Sequence, residues 1–169
     1  MSKLYILEGA DGTGKTTLAN EILKQTKGHM LHATFEKDWD IRQYHSEMFY
    51  SALTLMKYQD VILDRWAVSE EVYAEAYRGG RQYYADNFMI NIISDSRMSN
   101  PEDIRFIYCS NKDTIINHEA NKELRVEMFN DISPVVKEYE RYIGRTIIDW
   151  INYDFTKDNM KEFVEELRK

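Results

Sequence analysis

Short apolar runs alternate along this chain with longer stretches in which apolar residues recur every three or four positions, the pattern of buried strands and one-sided helices. Lys3-Leu4-Tyr5-Ile6-Leu7 predicts a first strand, and Thr17-Leu18-Ala19-Asn20-Glu21-Ile22-Leu23 the helix after it. Residues 29–35 read as a second strand. Residues 39–57 read as a long helix carrying Ile41, Tyr44, Met48, Ala52, Leu55 and Met56. A third strand covers 61–64, and helices at 69–77 and 83–98 are separated by Gly79-Gly80 and closed by Asn100-Pro101. Strand four is expected at 104–109. After a polar region, a helix starts at Ser133-Pro134 and stops at Gly144. A fifth strand is expected at 146–149, and Thr156 is expected to cap a last helix with Met160, Phe163, Val164 and Leu167 on its apolar face. Strands alternating with helices predict an α/β fold: a five-stranded parallel sheet with helices on both faces and right-handed crossovers. In such sheets ligands bind at the carboxyl ends of the strands.

The turn between the first strand and helix reads Gly9-Ala10-Asp11-Gly12-Thr13-Gly14-Lys15-Thr16, a phosphate loop of the form G-x-x-x-x-G-K-[ST] in its proper strand–loop–helix setting. Glycines let backbone N–H groups turn inward around phosphate oxygens, and the helix that follows points its positive end at the same anion. Gly9, Asp11, Gly12, Thr13, Gly14, Lys15, Thr16 and Thr17 are the expected nucleotide-binding residues. Lys15 is placed to neutralise β/γ-phosphate charge and the Thr16 hydroxyl to bind Mg²⁺. The fold class narrows accordingly to a P-loop NTPase with a nucleoside triphosphate as ligand.

At 169 residues the chain is read as one domain, 1–169, without a linker, repeat or low-complexity run. The formal charge of −7 argues against broad nucleic-acid binding but permits a local cationic pocket for a small anion. No apolar run is long enough to span a membrane, and Lys3, Glu8 and Asp11 interrupt any signal-like stretch at the start. A single cysteine, Cys109, excludes an internal disulfide and fits a cytoplasmic setting, where it reads as a small buried hydrophobe. His29 and His32 flank the second strand without metal-ligand spacing and read as structural.

A second group of residues closes the third strand: Asp64, Arg65 and Trp66, followed by Ser69, Tyr73 and Arg78. Together with Glu8-Gly-Ala-Asp-Gly-Thr-Gly-Lys-Thr-Thr17, this group resembles the thymidylate kinases and related deoxynucleoside kinases of the P-loop kinase group. The resemblance implies that Arg65 holds phosphate, often the acceptor's, and that Asp64 lies near Mg²⁺ and the transferring phosphoryl group. It also supports a ligand contact for Tyr73. Transfer between two polyanions needs charge stabilisation more than covalent help, which guanidinium and metal supply. Trp66, Tyr73 and Tyr77 are either a wall for a nucleobase or core aromatics, and Phe49 and Tyr50 share that ambiguity.

Phe35 and Glu36 end the second strand at the same crevice. In the deoxynucleoside kinases a glutamate here, with a tryptophan nearby, deprotonates a sugar hydroxyl; Glu36-Lys37-Asp38-Trp39 resembles that pattern without its usual proline. A monophosphate acceptor needs no such base, because its oxygen is already ionised, and Arg42, Arg78 and Arg81 are candidates to meet its charge. Residues 111–125 are expected to form a lid over the phosphates. Its family counterpart is usually richer in arginine; here it holds Lys112, Lys122 and Arg125, of which Arg125 is the expected catalytic cation.

Taken with these residues, the resemblance implies transfer from Mg·ATP to a deoxynucleoside monophosphate, thymidylate or a modified pyrimidine relative. The catalytic set would be Lys15, Asp64, Arg65, Arg125 and Glu36, with Thr16 and Asp64 toward the metal. Phe35, Arg42, Trp66, Ser69, Tyr73 and Arg78 would meet the acceptor, a small-molecule nucleotide. The alternative is a deoxynucleoside kinase using Glu36 as base; an NTP hydrolase, a polynucleotide kinase and a non-catalytic nucleotide-binding module are further readings. Family members often dimerise through helices flanking the sheet, so the apolar face of the 39–57 helix serves either core or a homodimer interface.

Overall fold

The computed structural model describes residues 2–36, 38–96, 100–110 and 132–169. The expected lid, Arg125 included, lies outside the described residues, as does Lys37. Strands β1 (Leu4–Glu8), β2 (His29–His32), β3 (Val61–Asp64), β4 (Ile104–Cys109) and β5 (Ile151–Tyr153) form one parallel sheet in the order β2-β3-β1-β4-β5. The described helices are α1 (Lys15–Thr26), α2 (Ile41–Met56), α3 (Ala67–Tyr77), α4 (Ala85–Asp95), α5 (Ser133–Ile143) and α6 (Met160–Leu167).

The central strands β1 and β3 are buried along their whole length because both faces are covered, as a parallel sheet requires, whereas the edge strands β2 and β5 are partly exposed. Leu4, Ile6, Val61 and Leu63 pack with residues of α2, α3, α4 and α5, while Tyr5, Leu7, Ile62 and Ile107 pack with α1 and α6. Among the described residues no helix is long and apolar enough to cross a membrane.

Three expected boundaries move, each because a side chain satisfies the backbone in another way. β2 stops at His32: past it Thr34 N–H donates to the Tyr44 hydroxyl on α2, and α2 is capped by Asp40 on Gln43 N–H. The fifth strand is Ile151–Tyr153 and not 146–149, because Thr146 Oγ1 and Ile147 N–H bond to the Asp86 carboxylate on α4 instead of entering a ladder. Asn159, not Thr156, caps α6; Thr156 donates its N–H and hydroxyl to Asp154 in the preceding turn.

The buried carboxylate of Glu8 ties these layers together at the end of β1. It accepts from the backbone N–H groups of Trp66 and Val68 and from the hydroxyls of Ser69 and Tyr139. The first turn of α3 and the middle of α5 are thereby fixed to the strand that carries the phosphate loop.

Candidate phosphoryl-transfer site

The phosphate loop turns where the sequence demands it. Gly9 adopts φ 144°, and a Cβ there would fall 2.2 Å from the carbonyl oxygen of Cys109 on the neighbouring strand, so only glycine lets β1 and β4 stay paired as the chain turns. Thr13 Oγ1 and Lys15 Nζ both donate to the Ala10 carbonyl, at 2.8 and 2.6 Å. Lys15 starts α1, and a cleft of about 630 Å³ opens between this loop, the ends of β2 and β3, and the turn after β5.

Burial, and next the charge of Arg65, lower the pKa of Lys15 to about 8 from its ordinary 10.5. A bound polyphosphate favours the charged ammonium, so binding above this value requires proton uptake. Nucleotide affinity is therefore expected to fall as pH rises through about 8, with buffer-dependent binding heats in calorimetry between pH 7 and 9.5. Affinity that is flat over that interval would contradict this placement of Lys15.

Arg65 follows β3 with φ 67°, a left-handed conformation a non-glycine residue seldom adopts, and its N–H still donates to the Leu7 carbonyl. Its guanidinium pairs with Asp11 of the phosphate loop at 2.5 Å and lies over the Tyr73 ring, 5.0 Å from the centroid. Tyr73 Oη in turn donates to Asp11 Oδ2 at 3.4 Å. Two cations thus line one cleft, Lys15 at the start of α1 and Arg65 just after β3.

Asp64 ends β3 and lines the same cleft. Its Oδ2 is 3.0 Å from His32 Nδ1, whereas its buried Oδ1 has no hydrogen-bond partner among the described residues. Burial alone would raise this carboxyl's pKa, but the His32 hydrogen bond and the charge of Lys15, with smaller contributions, bring it below the ordinary carboxylate value. Among the described residues no cluster of three or more His, Cys, Asp or Glu is arranged to hold a metal ion alone. The donor set does fit Mg²⁺ arriving on phosphate: an exposed Thr16 at the head of α1 and an unsatisfied carboxylate oxygen supply two hard ligands, and phosphates and waters supply the rest.

The expected acceptor residues separate. Phe35 is exposed after β2, with the Arg78 guanidinium 3.8 Å from its ring centroid, and Arg78 also pairs with Glu70. Arg42 lies over Tyr83, and both line a groove of about 420 Å³ between α2 and α4. Arg81 is committed to Glu71. Trp66 is a correction: it is fully buried, stacked on Phe49 at 4.9 Å and 12°, and its indole N–H donates to the His45 carbonyl. It builds the core and not a base wall. Ser69 is likewise buried against Glu8 and Tyr139. Glu36 is exposed on the loop after β2, where its carbonyl accepts from Trp39 N–H.

Five cleft residues escaped the sequence reading: His32, Tyr153, Phe155, Asp158 and Met160. The reading placed His32 as structural, yet the parallel β2–β3 register sets it directly beside Asp64. Phe155 follows the true fifth strand, and a Cβ on Gly14 would come within 3.0 Å of its ring, so the missing side chain at Gly14 is what lets the ring sit on the phosphate loop. Placing the fifth strand at 146–149 hid that turn.

No family model matches the chain. A protein of Acidianus bottle-shaped virus (isolate Italy/Pozzuoli), described as "Putative thymidylate kinase", is 30% identical over 107 residues, which are 62% of this chain and 67% of the viral protein. The chain belongs to the thymidylate kinase family of P-loop kinases. Solved structures carry the same fold across nearly the whole chain. YorR of Bacillus subtilis, in complex with phosphorylated GDP, aligns with a TM-score of 0.69 at 18% identity, covering 98% of this chain and 94% of YorR. Deoxyadenosine kinase of M. mycoides, with products dCMP and dCDP bound, aligns at 0.58 and 17% identity over 98% and 96%. As a thymidylate kinase-like protein this chain is a phosphotransferase acting on nucleotides or nucleosides.

Proposed function

We propose that this thymidylate kinase-like protein transfers the γ-phosphoryl group of Mg·ATP to the phosphate of a deoxynucleoside monophosphate in the cytoplasm. The observation that carries this reading is one cleft lined by two cations and a buried carboxylate, Lys15 on the phosphate loop and Asp64 and Arg65 where β3 ends. Lys15 and the N-terminus of α1 hold the donor's phosphates, and Arg65 stabilises the charge of the group in transfer and of the acceptor. Thr16 and Asp64 would hold Mg²⁺, which would supply Lewis-acid stabilisation of phosphate charge. The outer arginines, Arg42 and Arg78, and the exposed Phe35 belong to the acceptor side. Thymidylate and modified pyrimidine relatives are the first acceptors to assay.

The test is ADP production from Mg·ATP against a panel of nucleosides and their monophosphates, with single-stranded DNA and a no-acceptor control. Activity confined to monophosphates is expected. Activity confined to nucleosides would overturn the acceptor assignment, and ADP without acceptor would replace a kinase by a hydrolase. Glu36→Gln is expected to leave kcat within about threefold of the parent, since an ionised phosphate oxygen needs no general base; abolished turnover would make Glu36 that base.

The donor's base is placed on Phe155, whose ring lies against Gly14 at the mouth of the cleft. Stacking on an aromatic ring is worth about 1–3 kcal/mol. Phe155→Ala should therefore weaken ATP binding by roughly tenfold while leaving KM for the acceptor unchanged, which initial-rate kinetics with each substrate varied in turn will separate.

A further inference from the structure

His32 holds a place in the cleft that the phosphate-loop and Asp64-Arg65 motifs do not explain. β2 ends on it, the strand register sets it beside Asp64, and its ring, half exposed, lines the same cleft as Lys15 and Thr16. Its Nδ1 lies 3.0 Å from Asp64 Oδ2, and the other oxygen of that buried carboxylate has no partner among the described residues. A carboxylate with neither oxygen tied would turn toward the nearest cation. Here those cations are already placed: Lys15 Nζ on the Ala10 carbonyl, and Arg65 on Asp11. An Asp64 that drew Lys15 away would spend on an internal ion pair the charge that phosphate needs. An imidazole Nδ1–H donor satisfies one oxygen and leaves Lys15 and Arg65 to the phosphates.

We propose that His32 is a positioning residue for Asp64: its Nδ1–H holds Oδ2, which keeps the carboxylate off Lys15 and presents Oδ1 to the Mg²⁺ that arrives with the nucleotide. This inference rests on the reading that Asp64 and Thr16 meet nucleotide-bound Mg²⁺. Orienting partners of metal ligands typically contribute 10–100-fold to metal affinity.

The experiment reads binding, not turnover. ATP dissociation constants are measured with Mg²⁺ and with EDTA, and their ratio is the gain due to metal. His32→Ala is expected to shrink that gain by roughly tenfold or more while metal-free ATP affinity stays at the parent value. His32→Asn, whose side-chain amide keeps an N–H donor near the position of Nδ1, should recover most of it. An unchanged gain in His32→Ala, an equal loss with and without metal, or failure of His32→Asn to recover the gain would each overturn the proposal. Asp64→Asn separates the two levels: if it too leaves the gain unchanged, the metal reading of the cleft fails with the proposal, whereas loss in Asp64→Asn but not in His32→Ala removes His32 alone. In the unmodified protein, ¹⁵N shifts of the His32 ring should report the Nδ1–H tautomer; an Nε2–H ring would overturn the assignment without recourse to any variant.

Discussion

Lys15→Met is expected to lower phosphoryl transfer on the order of 10²–10³-fold and, at the same time, to raise the stability of the nucleotide-free protein. Methionine keeps the unbranched stem that burial requires and removes only the charge. The loss follows from the proposed role of Lys15 as the phosphate-loop cation on the donor, a position that Arg65, held on Asp11, does not occupy. The gain in stability follows from linkage. A group whose pKa is about 8 in the folded protein against an ordinary 10.5 is destabilising wherever it is charged in both states, below about pH 8; that cost is relieved as pH rises from about 8 toward 10.5. The difference corresponds to on the order of 3 kcal/mol, from which the lost hydrogen bond to the Ala10 carbonyl subtracts about 1 kcal/mol. Thermal melts at pH 7 should therefore show a higher Tm for the variant without ligand, and a smaller rise on adding Mg·ATP than in the parent. Full activity in a folded Lys15→Met protein would end the proposed mechanism.

Glu8→Ala is expected to destabilise the fold by about 3 kcal/mol or more. Four donors converge on this carboxylate, and they do not suffer equally when it is removed. The hydroxyls of Ser69 and Tyr139 lie 2.8 Å apart and can satisfy each other, but the N–H groups of Trp66 and Val68 are buried at the start of α3 with nothing to replace the acceptor. Each buried donor left unpaired costs about 1–3 kcal/mol, against a total stability of about 5–15 kcal/mol for a domain. Glu8→Gln should be much milder, since its amide oxygen still accepts from the backbone and its amide N–H groups can donate to the hydroxyl oxygens. Urea unfolding of the three proteins tests this: the midpoint should fall steeply for Glu8→Ala and slightly for Glu8→Gln, with an equal midpoint for Glu8→Ala and parent as the contrary result. Because the same carboxylate anchors the turn that carries Arg65, the folded fraction of Glu8→Ala should also transfer phosphate more slowly.

The consequences for Trp66 and His32 show where reading a sequence stops. Both stand beside motif residues, and the chain alone offers two accounts of each. Trp66 directly follows Arg65 in sequence, yet it points into the layer between the sheet and α2, where it stacks on Phe49. His32 is 32 residues from Asp64, and only the pairing of β2 with β3 brings their side chains together. Phe155 became visible as a cleft residue only when the fifth strand was found five residues later than periodicity suggested, because Asp86 on α4 captures Thr146 and Ile147.

The sequence by itself determined the α/β alternation, the phosphate loop and the residues that close β3, since hydrophobic period and glycine dihedral freedom act between near neighbours along the chain. The tertiary structure alone decided which aromatic became core, which strand end met which, and which side chain took up the free valence of a distant carboxylate. Those outcomes depend on register, crossover and competition for hydrogen bonds among residues far apart in the chain, and no local pattern encodes them.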